Sequence, residues 1–265
     1  MPNTSRELPE NAVSVIVIVH NEEASLRDCL DSASWADEIV IVDSGSTDAT
    51  LTIAREYTDR IFIETDWHGY GVQKQRAQDR ARGRWILSID ADERVTPELR
   101  ESIQKAATGE DAAYRMAILP FCFGRFIRHG GWYPAPKVRF YPRLRARYGS
   151  QQVHEKLEYD GPLEIRDLRG DLLHYTYRDM EHYLVKSARY AAAWAAQREA
   201  QGRNASLWQG AVHALGCFLR MYVFRAGFLD GKQGFLLAAL SSHSTFVKYA
   251  DLWVRQQSRG DGRKY

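Results

Sequence analysis

The sequence predicts an α/β fold, a mostly parallel sheet flanked by helices and followed by a C-terminal helical appendage, and three observations carry that reading. Val13-Ser-Val-Ile-Val-Ile-Val19 and Glu38-Ile-Val-Ile-Val42 are β-branched, nearly continuous apolar runs, the pattern of strands covered on both faces. Stretches with helical periodicity lie between such runs, and strand alternating with helix implies parallel pairing. Polar and acidic residues collect just after the strands, where open α/β sheets bind ligands.

Bulk properties set the limits. A chain of 265 residues with 45% hydrophobic content can bury a full core and is not a disordered protein. Cys29, Cys122 and Cys217 are odd in number, far apart and without metal-ligand spacing, so neither a disulfide framework nor a zinc site is expected. A formal net charge of +2 gives no reason to expect a nucleic-acid partner.

Taken in order, the first strand ends at Val19 and Asn21 can cap a helix over Glu22 to Ser34, where Leu26, Cys29, Leu30 and Ala33 form an i, i+3, i+4, i+7 stripe. After the second strand, Asp43-Ser-Gly-Ser-Thr-Asp48 forms a turn leading into a helix with Leu51, Ala54 and Tyr57. Arg60 to Ile63 is a third strand, Val72 to Arg82 a polar helix stopped by Gly83, and Trp85 to Ile89 a fourth strand. Thr96-Pro97 starts a helix with proline at its first position. From 112 to 175, short apolar segments such as Tyr114 to Leu119 and Lys137 to Tyr141 alternate with Gly and Pro turns and complete the sheet. Asp179 to Gln201 reads as a helix with a broad apolar face, Thr176 and Asp179 resembling a capping box.

The fourth strand delivers Asp90-Ala-Asp92. Carboxylates one residue apart on an extended segment point the same way, because strand side chains repeat with period two. Such a pair suits a hard divalent ion that shares its shell with water and phosphates. A solvated turn is the competing reading of the same spacing. With His20-Asn-Glu-Glu23 after the first strand and Asp43 after the second, three clusters distant in sequence are expected to converge on one sheet edge.

Charge is unevenly spread. No acidic residue occurs from Ala112 to His154, while Arg115, Arg125, Arg128, Lys137, Arg139, Arg143, Arg145 and Arg147 fall within it. The segment reads as a basic patch for an anionic ligand or surface, with solvated basic loops as the alternative. Asn204 to Trp253 is apolar and aromatic, but its longest charge-free run, Asn204 to Leu219, falls short of the roughly 20 residues a spanning helix needs. Helices lying in a membrane interface are expected there, the alternative being helices docked on the rest of the chain or on a partner subunit.

These motifs resemble those of the inverting glycosyltransferases of family 2, which have the GT-A fold. The likeness rests on Val17-Ile-Val-His-Asn-Glu-Glu23, Ile41-Val-Asp43-Ser-Gly-Ser-Thr-Asp48 and Ser88-Ile-Asp90-Ala-Asp92, in that order on those elements. Trp67-His-Gly-Tyr70, Gln73-Lys-Gln75, Phe140-Tyr-Pro-Arg143, Val153-His-Glu-Lys156 and Asp230-Gly-Lys-Gln-Gly234 further resemble lipopolysaccharide-core glucosyltransferases of the WaaE/KdtX type.

The resemblance implies a Rossmann-like GT-A domain over 1–203, with 204–265 as a membrane-surface or acceptor-binding appendage. It implies a nucleotide-sugar donor, UDP-glucose first among them, with Mg2+ or Mn2+, and a lipopolysaccharide-core heptose as acceptor. His20 and Glu22 would line the nucleoside pocket, Asp43 would bond the base, Lys74 would neutralise phosphate, and Asp90 and Asp92 would hold ribose and metal. An inverting displacement also needs a base opposite the leaving group. Glu155 is the expected base and Asp66 the reserve, with His154 a third metal ligand or phosphate contact. Glu22 favouring a helix start, Asp43 capping its turn, and Lys74 as a solvated helix lysine are the structural alternatives. A polyprenyl phosphate acceptor, or binding without turnover, are the competing functions. The polar opening of the chain lacks an apolar signal region, so a cytoplasmic protein peripheral on the inner membrane is expected.

Overall fold

Val13–Val19 (β1), Glu38–Asp43 (β2), Ile61–Ile63 (β3) and Trp85–Asp90 (β4) form the parallel part of the sheet. The structure, a computed structural model, describes residues 7–149, 157–177 and 179–260. Around these strands lie Leu26–Ala33 (α1), Thr50–Ala54 (α2), Tyr70–Arg80 (α3), Glu93–Val95 (β5), Pro97–Ala107 (α4), Ala113–Cys122 (β6), Arg125–Phe126 (β7), Lys137–Pro142 (β8), Ala146–Tyr148 (β9), Leu157–Tyr159 (β10) and Ile165–Tyr177 (β11). Met180–Ala200 (α5), Leu207–Leu219 (α6), a π turn at Arg220–Phe224, a 3-10 turn at Gly227–Asp230 and Gly231–Gly260 (α7) follow.

Strand order is β3-β2-β1-β4-β8-β6-β11-β5, with β7 on β6 and a separate β9-β10 pair. The expected parallel sheet is therefore confined to β1–β4. Strand β8 pairs antiparallel with β4 and β6, and β5 antiparallel with β11. The result is a mixed sheet, in keeping with the GT-A expectation. Its order reverses between β1 and β4, where a crevice opens at the carboxyl ends of the strands.

The chain divides into two compact units, Met1–Ile118 with Pro136–His174, and Leu119–Ala135 with Tyr175–Tyr265. The boundary drawn at 203/204 falls inside the second unit.

In the core of the first unit, strand side chains alternate between the two faces of the sheet. Val13, Val15, Val17 and Val19 turn to one face and meet Leu26, Cys29, Leu30 and Ala33 of α1 and Leu99 and Ile103 of α4. Ile16, Val40, Val42 and Ile86 turn to the other and meet Ala77 of α3 and Ala81 just after it. Both faces are covered, which is why these strands read as unbroken apolar runs. Gly83 serves close approach rather than ending a helix, since a Cβ there would lie 2.6 Å from Ser14 Oγ and 2.7 Å from the Ala12 carbonyl.

Several local expectations change. Helix α1 starts at Leu26 with Ser25 before it, so Asn21 caps nothing. Asn21 takes a left-handed φ of 56° and its side-chain oxygen accepts from the Thr47 N–H at 2.8 Å, joining the loop after β1 to the loop after β2. Thr96 caps α4 as expected, accepting from Leu99 N at 3.3 Å. Thr176 lies on β11, and Asp179 alone caps α5, accepting from His182 N at 2.7 Å. No single described helix is long and apolar enough to cross a membrane.

Candidate functional site

Register brings the three polar clusters together. Ile18 of β1 pairs with Asp90 of β4, and Val19 with Asp43 of β2, so the loops after these strands share one sheet edge. A cleft of about 470 Å³ opens there, lined by Ile18, Val19, His20, Glu22, Ser44, Trp67 and Tyr70. The Trp67 and Tyr70 rings meet edge to face at 5.0 Å and are largely exposed, giving the cleft an aromatic wall. Gln73 is fully buried and donates to Ser44 Oγ at 2.9 Å and to the Glu64 carbonyl at 2.7 Å, fixing the loop that carries Ser44.

His20 and Glu22, expected at the nucleoside, both line this cleft. Asp43 does not open onto it. Its residue is 0% exposed, and its carboxylate accepts from the Gly45 and Ser46 N–H groups at 2.8 and 2.9 Å and from the Ser46 hydroxyl. The turn-capping alternative describes Asp43, and the direct base contact has no free face here. Asp48 and Glu23 stitch the same two loops, Asp48 accepting from Glu23 N at 3.2 Å and Glu23 from Ala49 N at 2.9 Å.

Asp90 and Asp92 separate rather than share one ligand direction. Asp90 is the last residue of β4, whereas Asp92 lies in the turn before β5, so strand alternation does not apply to the pair. Asp90 binds Lys74 Nζ at 2.9 Å through one oxygen and Arg139 Nη2 at 2.7 Å through the other. Arg139 also reaches Glu93 Oε1 at 3.1 Å, and Glu93 Oε2 accepts from the Asp90 N–H at 2.8 Å. Burial pushes the Glu93 carboxyl up against the pull of Arg139, and the Asp90 charge adds to the rise. Burial would raise Asp90 too, but Arg139 and Lys74 outweigh it and hold that carboxyl well below the usual range. Asp90, expected at ribose and metal, is thus an anion whose charge is matched by Lys74 and Arg139.

Lys74 is 2% exposed, so it is not a solvated helix lysine. It sits beneath the cleft edge on α3 and is engaged by Asp90 rather than held open for a phosphate. Its neighbours act likewise, Gln75 accepting from Tyr148 N at 2.8 Å.

Asp92 has a different partner, one the sequence reading missed. Its Oδ2 lies 3.1 Å from Nε2 of His174 on β11, where His174 pairs in register with Glu93. Both side chains are partly exposed. Among the described residues no three His, Cys, Asp or Glu side chains gather into a metal cage. One carboxylate is nonetheless enough protein ligand for a Mg2+- or Mn2+-like ion when phosphates and water complete its shell, and a neighbouring imidazole can orient that carboxylate or add a nitrogen donor. Asp92, with His174 beside it, could hold a divalent cation, whereas Asp90 is engaged by Lys74 and Arg139. His154 and Glu155 lie outside the described residues. Asp66 is 74% exposed, 2.9 Å from His68 Nε2 and 3.7 Å from Arg76.

The basic segment is not one patch. Arg115 pairs with Asp167 at 2.8 Å, Arg139 with Asp90 and Glu93, Arg145 with Asp111 at 3.8 Å and Arg147 with Glu158 at 3.6 Å, while Arg143 donates to the Gly83 carbonyl at 2.9 Å. Arg125 and Arg128 belong to the second unit. A segment without acids of its own draws them from elsewhere in the chain, which corrects the single-field reading.

With this geometry in hand, likeness to known proteins has a physical counterpart. The family model for Glycosyl transferase family 2 matches residues 14–156, from β1 through the Asp90-Ala-Asp92 turn and beyond β9. The chain is 32% identical over 256 residues to the lipopolysaccharide core biosynthesis glycosyltransferase LpsC of Rhizobium meliloti, covering 94% of each protein. It is 26% identical over 254 residues to an uncharacterized glycosyltransferase of Rickettsia prowazekii, covering 91% of this chain and 86% of the other. Among solved structures, S. aureus TarS 1-349 aligns over 96% of this chain and 93% of that one, at 14% identity and a TM-score of 0.47. Matched over more than half its length, with the matched motifs gathered on one sheet edge, the chain belongs to glycosyl transferase family 2.

Proposed function

We propose that this enzyme transfers a hexose, glucose from UDP-glucose, to a heptose of the lipopolysaccharide inner core, with inversion at the anomeric carbon and with Mg2+ or Mn2+ as cofactor. The observation that carries the donor side is the Asp92–His174 pair, two residues beyond the strand position that pairs with the cleft wall at Ile18. The acceptor assignment is supported by 94% coverage of LpsC, a protein named for lipopolysaccharide core biosynthesis. The enzyme acts at the cytoplasmic face of the inner membrane, where nucleotide sugars and the growing core would meet.

The parts divide the work. The Trp67–Tyr70 wall and the His20–Glu22 loop take the nucleoside, aromatic faces giving contact area with few rotatable bonds. Asp92 and His174, with His154 joining them, would hold the cation, which when bound supplies Lewis-acid stabilisation of the leaving diphosphate. Lys74, Arg139 and Glu93 are buried around the partly exposed Asp90 and fix the end of β4, and so the turn carrying Asp92. The acceptor hydroxyl attacks the anomeric carbon as the bond to the diphosphate oxygen breaks, and Glu155 removes the hydroxyl proton from the opposite side.

The test is transfer itself: the purified enzyme, radiolabelled UDP-glucose, Mn2+ and lipopolysaccharide truncated at the inner-core heptose. Labelled lipopolysaccharide with a β-anomeric glucose is expected. Release of free glucose without transfer, or transfer only to polyprenyl phosphate, would overturn the acceptor assignment.

A further inference from the structure

We infer that the outer face of α6 and the bend joining it to α7 form a docking surface for an anionic phospholipid bilayer, engaged in the plane of the headgroups. The surface lies wholly in the second unit and stands independently of the transferase chemistry.

Helix α6 carries no charged residue, and one side of it is spent on α7. A Cβ on Gly210 would meet Tyr249 at 3.0 Å, His213 stacks on Tyr249 at 4.8 Å, and Ser242 Oγ donates to the Ala214 carbonyl at 2.8 Å. The other side is apolar and exposed. Trp208, Val212, Leu215, Leu219 and Val223 recur at i, i+4, i+7, i+11 and i+15 and run unbroken into the π turn. At the bend the stripe widens with Phe224, Phe228 and Leu229. Trp208 is 78% exposed and Phe224 80%, and five large apolar groups on one helical stripe with three more at the bend are not a scatter of single surface residues.

Charge selects the occupant. Between Glu199 and Asp251 the sole acidic residue is Asp230, and it is buried, accepting from Arg128 N at 3.1 Å, His129 N at 2.7 Å and His129 Nδ1 at 3.1 Å. Arg220, Arg225 and Lys232 are exposed around the same bend, and Arg125, which donates to the Leu229 carbonyl at 3.4 Å, is exposed beside it. An apolar tip with aromatic residues and a collar of one positive sign matches the boundary between acyl chains and anionic headgroups. Three cations at the bend also oppose deeper insertion. The bent pair α6–α7 passes a span test by length and composition, but driving its tip across hydrocarbon would carry these charges with it.

The test uses the full chain and sedimentation with vesicles of phosphatidylcholine alone or with about one-third phosphatidylglycerol. Binding to the anionic vesicles is expected, with affinity falling as salt rises. Phe224→Ser combined with Phe228→Ser should weaken it at least about tenfold. Arg220→Gln and Lys232→Gln should each weaken it about fivefold. All four side chains are at the surface, and unchanged circular dichroism together with unchanged UDP binding separates loss of docking from loss of fold. Trp208→Phe should remove the part of the emission that lipid-borne quenchers reach. Wild-type protein left in the supernatant overturns the inference, as does equal binding to neutral vesicles or variants that bind like the wild type. A dimer in solution that the phenylalanine variants turn into a monomer assigns the face to a second copy and overturns it equally.

Discussion

Replacing Arg139 by methionine is the sharpest probe of the buried cluster. The guanidinium is 5% exposed and bridges Asp90 Oδ2 at 2.7 Å and Glu93 Oε1 at 3.1 Å, so its removal leaves the buried Glu93 without its cation and the partly exposed Asp90 with Lys74 alone. Removing one partner of a buried pair costs about 3–5 kcal/mol. Lys74 remains 2.9 Å from Asp90, which keeps the cost near the lower end, about 3 kcal/mol, or about 6–12 °C in Tm for a chain of this size. The pH dependence has a definite sign. Glu93 is already pushed up in the fold by burial, and without Arg139 it rises further. A carboxyl raised in the folded state weakens the fold above that raised pKa, and the loss disappears as pH falls through it. Asp90, held low, keeps its favourable contribution throughout this window and loses it only in stronger acid. The deficit of Arg139→Met should therefore be largest near about pH 8 and shrink toward about pH 5. Adding Glu93→Gln should recover much of it at the higher pH. Calorimetry and chemical denaturation of the three proteins decide the matter. A deficit below about 1 kcal/mol at both values, or one that grows on acidification, would refute the cluster as a matched set of buried charges.

Other perturbations separate the parts of the site. Asp92→Asn or His174→Ala should lower transfer about a hundredfold or more and abolish metal-dependent UDP binding, with Tm nearly unchanged because both side chains are partly exposed. Asp43→Ala removes the acceptor of three turn hydrogen bonds at a buried position and should cost about 1–3 kcal/mol by denaturation, with a weaker donor Kd as the secondary effect. Glu155→Gln should reduce kcat about a hundredfold or more and leave donor binding intact. Loss of donor binding instead, together with an inactive Asp66→Asn, would move the base to Asp66. Gly83→Ala forces a Cβ against the Ala12 carbonyl and should cost about 1–3 kcal/mol, and a neutral result would mean β1 can shift there.

What could be read from the sequence was what depends on near neighbours. The Val13–Val19 run, the Leu26–Ala33 stripe and the Thr96-Pro97 start express periodicity and capping, and each stands in the structure where the pattern put it. Convergence of the loops after β1, β2 and β4 was legible too, because parallel strands with crossover helices leave their carboxyl ends on one edge. Partnerships across the sheet were not. His174 meets Asp92 across 82 residues through the β11–β5 pairing, and a single histidine in Leu172-Leu-His-Tyr175 carries no local mark of that role. Arg139 meets Asp90 across 49 residues and looked like one more charge in a basic run. Lys74, expected at a phosphate with a solvated helix lysine as the alternative, is neither legible locally nor solvated, because Ala77 turns the polar α3 onto the sheet and carries the lysine under it. Asp43 shows the reverse case, a motif residue whose local turn chemistry was the better guide to its contacts.

The central claim, a donor site in which Asp92 and His174 hold a cation against the nucleotide diphosphate, is tested most directly by calorimetric titration of UDP into the enzyme with Mn2+, with Mg2+ and with chelator. Binding is expected with either metal, with at least about tenfold weaker binding under chelator and loss of the metal effect in both Asp92→Asn and His174→Ala. Equal UDP affinity with and without metal, or a metal effect that survives both substitutions, would contradict it.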